Sequence, residues 1–383
     1  MNIRKNFDPK KSRSFTPCAD ASWEIQRGDG SLAAGAVGYD VLSLGGLAIK
    51  DQAIQLAERV LSPQFTDGTM DGILGLAFRK LNTIHWKGRP FPHNTPFENV
   101  MRQDDIPVEA AVFTCAMYST RDPDPAAPKS FYTFGWIDRS LLLPDEAIHW
   151  APLDESTGLW MFASETTTVN GSHTATLSLP GNRAVADTGT ALILLSDQVC
   201  DALYAQVRGA EYAERHQGWV VPRDISLDEL PDVRVAVGGR EFVVQKQDLV
   251  FAPVGGGEGE DGERRWWYGA VQSRGECPFD VLGDAFLRSV YAVSLPSDPF
   301  FLLLRWIQTR ANWVCVCLCI QIWDKGNMRF GAVPKVAKTQ NVELNAMPLV
   351  APELEKEVER IFVKSMFGDI SGISETDLSL NGH

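Results

Sequence analysis

The sequence predicts a mostly β fold made of two lobes related by duplication. Three observations predict it. Short runs of strand-forming residues, at 36–44, 110–118, 131–136, 233–237 and 242–244, are broken by Gly, Pro, Asp and Asn. Helical patterning is confined to 197–207, after a short apolar strand, and to 353–365 near the end. An octet in the first half, Asp71-Gly72-Ile73-Leu74-Gly75-Leu76-Ala77-Phe78, matches one in the second, Phe279-Asp280-Val281-Leu282-Gly283-Asp284-Ala285-Phe286. Each places two aliphatics before a glycine and ends in Ala-Phe, so the halves read as copies of one unit.

A chain of 383 residues is long enough for two domains, each with its own core. The formal charge of −13 excludes a nucleic-acid partner, which needs clustered Lys and Arg. The apolar stretch at 300–323 is interrupted by Arg305 and Arg310 and falls short of the ~20 uncharged residues of a membrane span. No membrane partner is expected. Met1 to Pro9 carries basic residues with no apolar segment behind them, so no secretory signal is read there.

The seven cysteines are scattered, and the run Cys315, Cys317, Cys319 lacks the two-residue gaps of common zinc sites. The six histidines show no ligand spacing, and Glu258, Glu260 and Asp261 sit in a glycine-rich run without the regular spacing of a calcium loop. Neither a metal nor a cofactor is expected.

The repeat has a second landmark. Each octet follows a Gly-Gly turn between strand-like runs, at Gly45-Gly46 and at Gly238-Gly239. The turns are 193 positions apart and the octet glycines, Gly75 and Gly283, are 208 apart. The second half carries Asp187-Thr188-Gly189-Thr190 between the apolar runs 184–186 and 191–195. Subtracting either offset places the first-half counterpart of Asp187 before Met1. An aspartate on a tight turn between apolar strands has low-dielectric walls around it. Glycine lets the backbone turn closely, and the threonine hydroxyls can hydrogen-bond within the loop.

On these residues the chain resembles the pepsin-like aspartic endopeptidases, in particular the fungal penicillopepsin-like members, over roughly residues 7–335. Phe7-Asp8-Pro9 followed by Ser12-Arg13-Ser14-Phe15 is similar to the segment after the first catalytic loop. The segment Trp23-Glu24-Ile25-Gln26-Arg27-Gly28-Asp29-Gly30-Ser31 resembles the flap hairpin that closes over substrate. The two octets resemble the motifs that buttress the two catalytic loops, and Asp187-Thr188-Gly189-Thr190 resembles the second of those loops. Met328-Arg329-Phe330-Gly331 resembles the closing strand of the second lobe.

The resemblance implies a bilobal fold with pseudo-twofold symmetry and an incomplete first lobe. It implies a first lobe with its flap at 1–150, a second lobe at 151–335 and a tail at 336–383. It further implies a monomeric, secreted or vacuolar protein that hydrolyses a peptide or protein substrate. The reaction uses water held between two aspartates, of which this chain holds Asp187 alone, so the chain as written is expected to be inactive. Thr188 is expected to hydrogen-bond across the lobes to the matching threonine of the missing loop. Two other readings stay open: an inactive family member acting as a binding module or inhibitor, and a homodimer pairing two copies of Asp187.

Two departures from the family pattern stand out. Arg27 replaces the flap tyrosine. Its charge either favours ionised carboxylate beside the cleft, or it points to solvent while the flap closes through the backbone of Gly28 and Asp29. The family's second-lobe disulfide would fall near Arg223 and Trp266 or Trp267, where both cysteines are absent together, and Cys277 is left unexplained. Finally, 294–321 interrupts a connection that is short in the family. It reads as a retained intron between Ala292-Val293 and Ile322, or as a lineage-specific loop.

Overall fold

A computed structural model of the chain describes residues 7–26, 32–61, 71–103, 112–119, 128–142, 147–255, 266–293 and 329–334. The flap tip (Arg27, Gly28, Asp29, Gly30, Ser31), the interruption at 294–321, the acidic run at 258–261 and the tail at 336–383 lie outside the described residues. In chain order the first half supplies β1 (Thr16–Gln26), β2 (Leu32–Leu44), β3 (Leu47–Leu61), β4 (Ile84–Trp86), β5 (Arg89–Pro90), helix α1 (Pro96–Arg102), β6 (Phe113–Ala116), β7 (Phe131–Phe134) and β8 (His149–Pro152). The second half follows with β9 (Met161–Ala163), β10 (Thr166–Asn170), β11 (Thr174–Ser178), β12 (Arg183–Ala186), β13 (Ile193–Leu195) and helix α2 (Asp197–Tyr204). Then come β14 (Glu211–Ala213), β15 (Gly218–Pro222), β16 (Asp232–Val237), β17 (Arg240–Val244), β18 (Val250–Val254), β19 (Trp266–Gly269), β20 (Val271–Ser273) and β21 (Asp280–Leu282). Helix α3 (Asp284–Leu287), β22 (Val290–Val293) and β23 (Arg329–Pro334) complete the described chain.

The fold is mostly β, with several sheets, as the broken apolar runs predict. β1 to β5 form one sheet in the order β3-β2-β1-β4-β5, and three further sheets lie wholly between Met161 and Leu282. The fifth sheet, β7-β6-β22-β23-β8, takes strands from both halves. Val290 pairs with Pro334 and Val293 with Gly331, so the chain returns in register on the far side of the interruption.

Both Gly-Gly landmarks are tight turns, joining β2 to β3 and β16 to β17. Gly45 and Gly46 have φ of 58° and 88°, the left-handed pair that a two-residue hairpin turn requires. The core passes between the halves through Trp160. Phe78, the last residue of the first octet, stacks on it at 4.5 Å, and Phe97 of α1 and Phe113 of β6 meet it edge-on. Thr95 caps α1 through a reciprocal bond with Glu98, which fixes where Phe97 points.

The octets fold differently. In the second, Asp280 to Leu282 is β21 and the residues after Gly283 are α3. In the first, Ile73 makes only a bridge and no strand or α-helix forms. A strand needs partners for its backbone groups. β21 has them in β12 and β13, while the first octet finds no such pair among the described residues. The buttress expected of the first octet is therefore not formed in the described residues.

Candidate active site

The loop carrying Asp187 is shaped by the strand that runs between its two ends. β21 pairs parallel with β12 on one side and antiparallel with β13 on the other. The chain leaving β12 must cross over the end of β21 to enter β13, and residues 187–192 make that crossing. Ala184, Val185, Ala186, Ile193 and Leu195 are buried, so the loop stands on a dry floor.

Within the loop the Asp187 carboxylate turns back on its own backbone. Gly189 N donates to Oδ1 at 2.8 Å and the Thr190 hydroxyl donates to Oδ2 at 2.6 Å. This is the aspartate-initiated turn that short polar side chains favour. Asp187 N donates to Leu282 O at 3.1 Å, Gly283 N to Leu192 O at 3.0 Å and Asp284 N to Thr190 O at 2.7 Å, so the octet holds the loop from beneath. The octet glycine has a steric cause. A Cβ at Gly283 would come within 2.2 Å of both Leu192 O and Thr190 O, whereas a Cβ at Gly75 would meet nothing within 4 Å.

Asp187 is half-buried, Gly189 exposed, and Thr188 and Thr190 buried. The four loop residues singled out in the sequence are thus together, with one half-buried carboxylate that accepts a hydrogen bond at each oxygen from its own loop. Hydrogen bonds of this kind favour the ionised form, the state in which a carboxylate accepts a proton from water. The flap residues Arg27 to Ser31 are not placed, although β1 and β2 form the hairpin that leads to them, pairing Gln26 with Leu32.

Three side chains near the loop were not read as site residues from the sequence. Burial pushes Asp284 up to about 7, against the opposing charge of Arg288 and with the Asp187 and Asp248 carboxylates adding to the rise. Its Oδ1 is sealed from solvent and has no hydrogen-bond partner. Arg288 lies 3.9 Å from Asp284 Oδ2 and 3.0 Å from Asp248 Oδ1, at the inner end of this charged row. From the first half, the Tyr132 hydroxyl on β7 donates to Met117 Sδ at 4.0 Å, and burial with Cys115 beside it pushes the phenol far above the ordinary tyrosine range, against the opposing effect of Thr188. One signal was available for Asp284: within the part the octets share, two aliphatics, a glycine and a closing Ala-Phe, a carboxylate stands where the first has Leu76.

The segments near which the resemblance implies a disulfide are neighbours here. Val221 pairs with Trp267 and Pro222 with Trp266, Trp267 Nε1 donates to Arg223 O at 3.3 Å, and the Arg223 guanidinium lies 5.4 Å from the Trp267 ring centre. A cation–π contact stands where the cross-link would be. Cys277 packs beside Met161, Val185, Phe279 and Val281, and burial raises its thiol. Among the described residues no group of three or more His, Cys, Asp or Glu could hold a metal ion, and no helix is long and apolar enough to cross a membrane.

Comparison with known proteins agrees with this geometry. The family model for eukaryotic aspartyl protease matches residues 1–294. Aspergillopepsin-1 of Aspergillus pseudoglaucus is 36% identical over 279 residues, 73% of this chain and 63% of the relative. Penicillopepsin-1 of Talaromyces stipitatus is 34% identical over 273 residues, 71% of this chain and 62% of the relative. The chain thus spans a little under two thirds of the length of these relatives.

Proposed function

The chain belongs to the eukaryotic aspartyl protease family, and from that premise we propose that it serves an aspartic endopeptidase in which Asp187 is one of two water-activating carboxylates. The observation that carries the proposal is the Asp187 loop, where two donors at 2.8 and 2.6 Å fix a half-buried carboxylate over a dry floor. Aspartic proteases are themselves the standard case of two aspartates sharing one proton, so that arrangement comes from the enzyme class as a whole. The ionised member takes a proton from water as it attacks the peptide carbonyl, and the protonated member polarises the carbonyl oxygen. One carboxylate cannot do both.

The 383 residues contain one Asp-Thr-Gly. The open space at Gly75, against the close backbone contacts of its counterpart Gly283, supports a second loop of the same shape seated on the first octet. The two halves at 1–150 and 151–335 are then the lobes, the cleft between them takes a peptide or protein substrate, and an acid optimum suits a secreted or vacuolar setting.

The same open space favours a second reading, a family member that binds peptides without cutting them. One experiment separates the two. The chain expressed from Met1 should not cleave peptides at roughly pH 3 to 5. Joining an in-frame upstream segment with an Asp-Thr-Gly-Ser loop before Phe7 should bring cleavage in acid. Binding without cleavage after that addition selects the second reading, and robust cleavage by the chain alone removes the need for a second loop.

A further inference from the structure

One hairpin of the second half carries a surface motif that the Asp187 loop does not use. The pattern Asn-x-Ser/Thr, with x other than proline, marks an acceptor for N-linked sugar. In 383 residues it occurs once, at Asn170-Gly171-Ser172. Asn170 ends β10 and stands opposite Thr174, the first residue of β11. Val169 is fully buried and residues 170–174 are exposed, so the strand end is anchored while Asn170 projects to solvent. The tip of the hairpin is held from below. His173 N donates to Gln206 Oε1 at 3.3 Å, and a Cβ at Gly171 would come within 2.7 Å of that oxygen and 3.0 Å of Pro231 Cβ. The Asn170 carboxamide oxygen accepts from the Thr174 hydroxyl at 2.7 Å. Its amide nitrogen, the atom that carries the sugar, is turned the opposite way.

We propose that Asn170 is an N-glycosylation site whose glycan shields the edge of β11. The inference rests on the secreted or vacuolar setting of the proposed function. The donor is an oligosaccharide carried on a polyprenyl diphosphate. A bond forms from Asn170 Nδ2 to the first sugar carbon as the bond from that carbon to the diphosphate oxygen breaks. The diphosphate leaves with the electron pair, and the amide gives up one proton. β11 is the outer strand of the sheet β11-β10-β16-β17, and among the described residues it pairs with β10 alone. Its residues, Thr174 to Ser178, include neither a charge nor a proline, the usual guards of an open edge. A bulky, hydrophilic group at the end of its hairpin supplies that guard. The Asp187 loop stands on a different sheet, β20-β13-β21-β12-β9, so the modification is separate from the proposed chemistry.

The test expresses the full chain behind a secretory leader in yeast and follows total protein, cells and medium together. The parent should lose one step of mobility on digestion with a glycan-releasing amidase, and peptide mass spectrometry should find Asn170 converted to aspartate. Asn170→Gln and Ser172→Ala should each abolish the step, and Ser172→Thr should keep it. Purified Asn170→Gln should scatter more light on concentration than the glycosylated parent, and adding an edge charge through Ser178→Lys should remove the excess. An unmodified Asn170 in the leader-borne chain, or a step that survives Asn170→Gln, overturns the site. Equal scattering by parent and Asn170→Gln overturns the shielding. Should Asn170→Gln not fold, Ser172→Ala decides both points, since it keeps Asn170 and its bond to Thr174. A glycan on the leader-borne chain with none on the chain joined to its own upstream segment upholds the site and counts against the secretory setting alone. Peptide hydrolysis enters none of these readouts, so they stand apart from a failure of the protease reading.

Discussion

At the residue scale the two octet glycines give the sharpest contrast. Gly283→Ala places a methyl group within 2.2 Å of two carbonyl oxygens, and backbone cannot move aside as a flexible side chain can. Its expected cost is about 3 kcal/mol or more in chemical denaturation, the range of substitutions that force a packed backbone apart. Gly75→Ala meets open space, and its effect should stay within about 0.5 kcal/mol. Equal losses would show that the crossing over β21 does not set the identity of Gly283. Asp284 carries a second prediction. Its value in the folded protein is raised from 3.8 to about 7, so the folded state holds a proton that the unfolded state releases. The stability this group contributes is complete below about pH 4 and is lost as pH rises toward 7. Asp280, buried and raised to about 6 by burial against the pull of Arg274 and Asn182, acts in the same direction. Thermal melts of Asp284→Asn should therefore fall less between pH 4 and pH 7 than those of the parent. Parallel curves would mean that Asp284 ionises freely in the folded protein.

At the element scale the paired strands β15 and β19 are tied by the contact of Arg223 with Trp267, where the resemblance implies a cross-link. Trp267 is 1% exposed, so Trp267→Ala should cost about 3–5 kcal/mol, while Arg223→Ala should cost about 0.5–1 kcal/mol. Denaturation midpoints of the two variants check both values. A loss at Arg223 as large as that at Trp267 would show that the guanidinium is part of the core. How far the elements were legible follows from what makes them. β16, β17 and the Gly-Gly turns were readable because alternation and turn chemistry are local. Helix α2 starts at Asp197 as its pattern predicts but stops at Tyr204, three residues early, because Gln206 N and Val207 N reach back only to Leu203 O and Tyr204 O. That tightening leaves no sequence mark beyond Gly209. The first octet forms no strand among the described residues although much of it matches the second, since strand formation depends on neighbours that a sequence repeat does not supply. The Asp187 loop was legible because a polar turn between two apolar runs is rare. Tyr132 was not, since it comes from a distant element and only tertiary packing brings it near the loop, and Arg288 was not, since its partner Asp248 lies forty residues away.

At the scale of the whole molecule, the pairing of β22 with β23 closes the sheet that joins the halves. Deletion of 294–321, joining Val293 to Ile322, should leave the pairing intact and raise soluble yield by shortening an apolar connection. Lower yield would show that the segment covers a surface of the fold. The joining of both halves in one sheet also bears on the proposed catalysis, which needs a fixed relation between the halves for two carboxylates to meet at one water. The most direct measurement is the pH–rate profile for peptide hydrolysis by the chain joined to an upstream Asp-Thr-Gly-Ser segment, beside its Asp187→Asn variant. The parent should show a maximum in acid, where the pair holds a single proton. The variant should keep the fold and lose about 10⁴-fold or more of the rate, since an amide of the same shape cannot share that proton. An Asp187→Asn protein that hydrolyses peptides at the parent rate would contradict the assignment of Asp187 as a catalytic carboxylate.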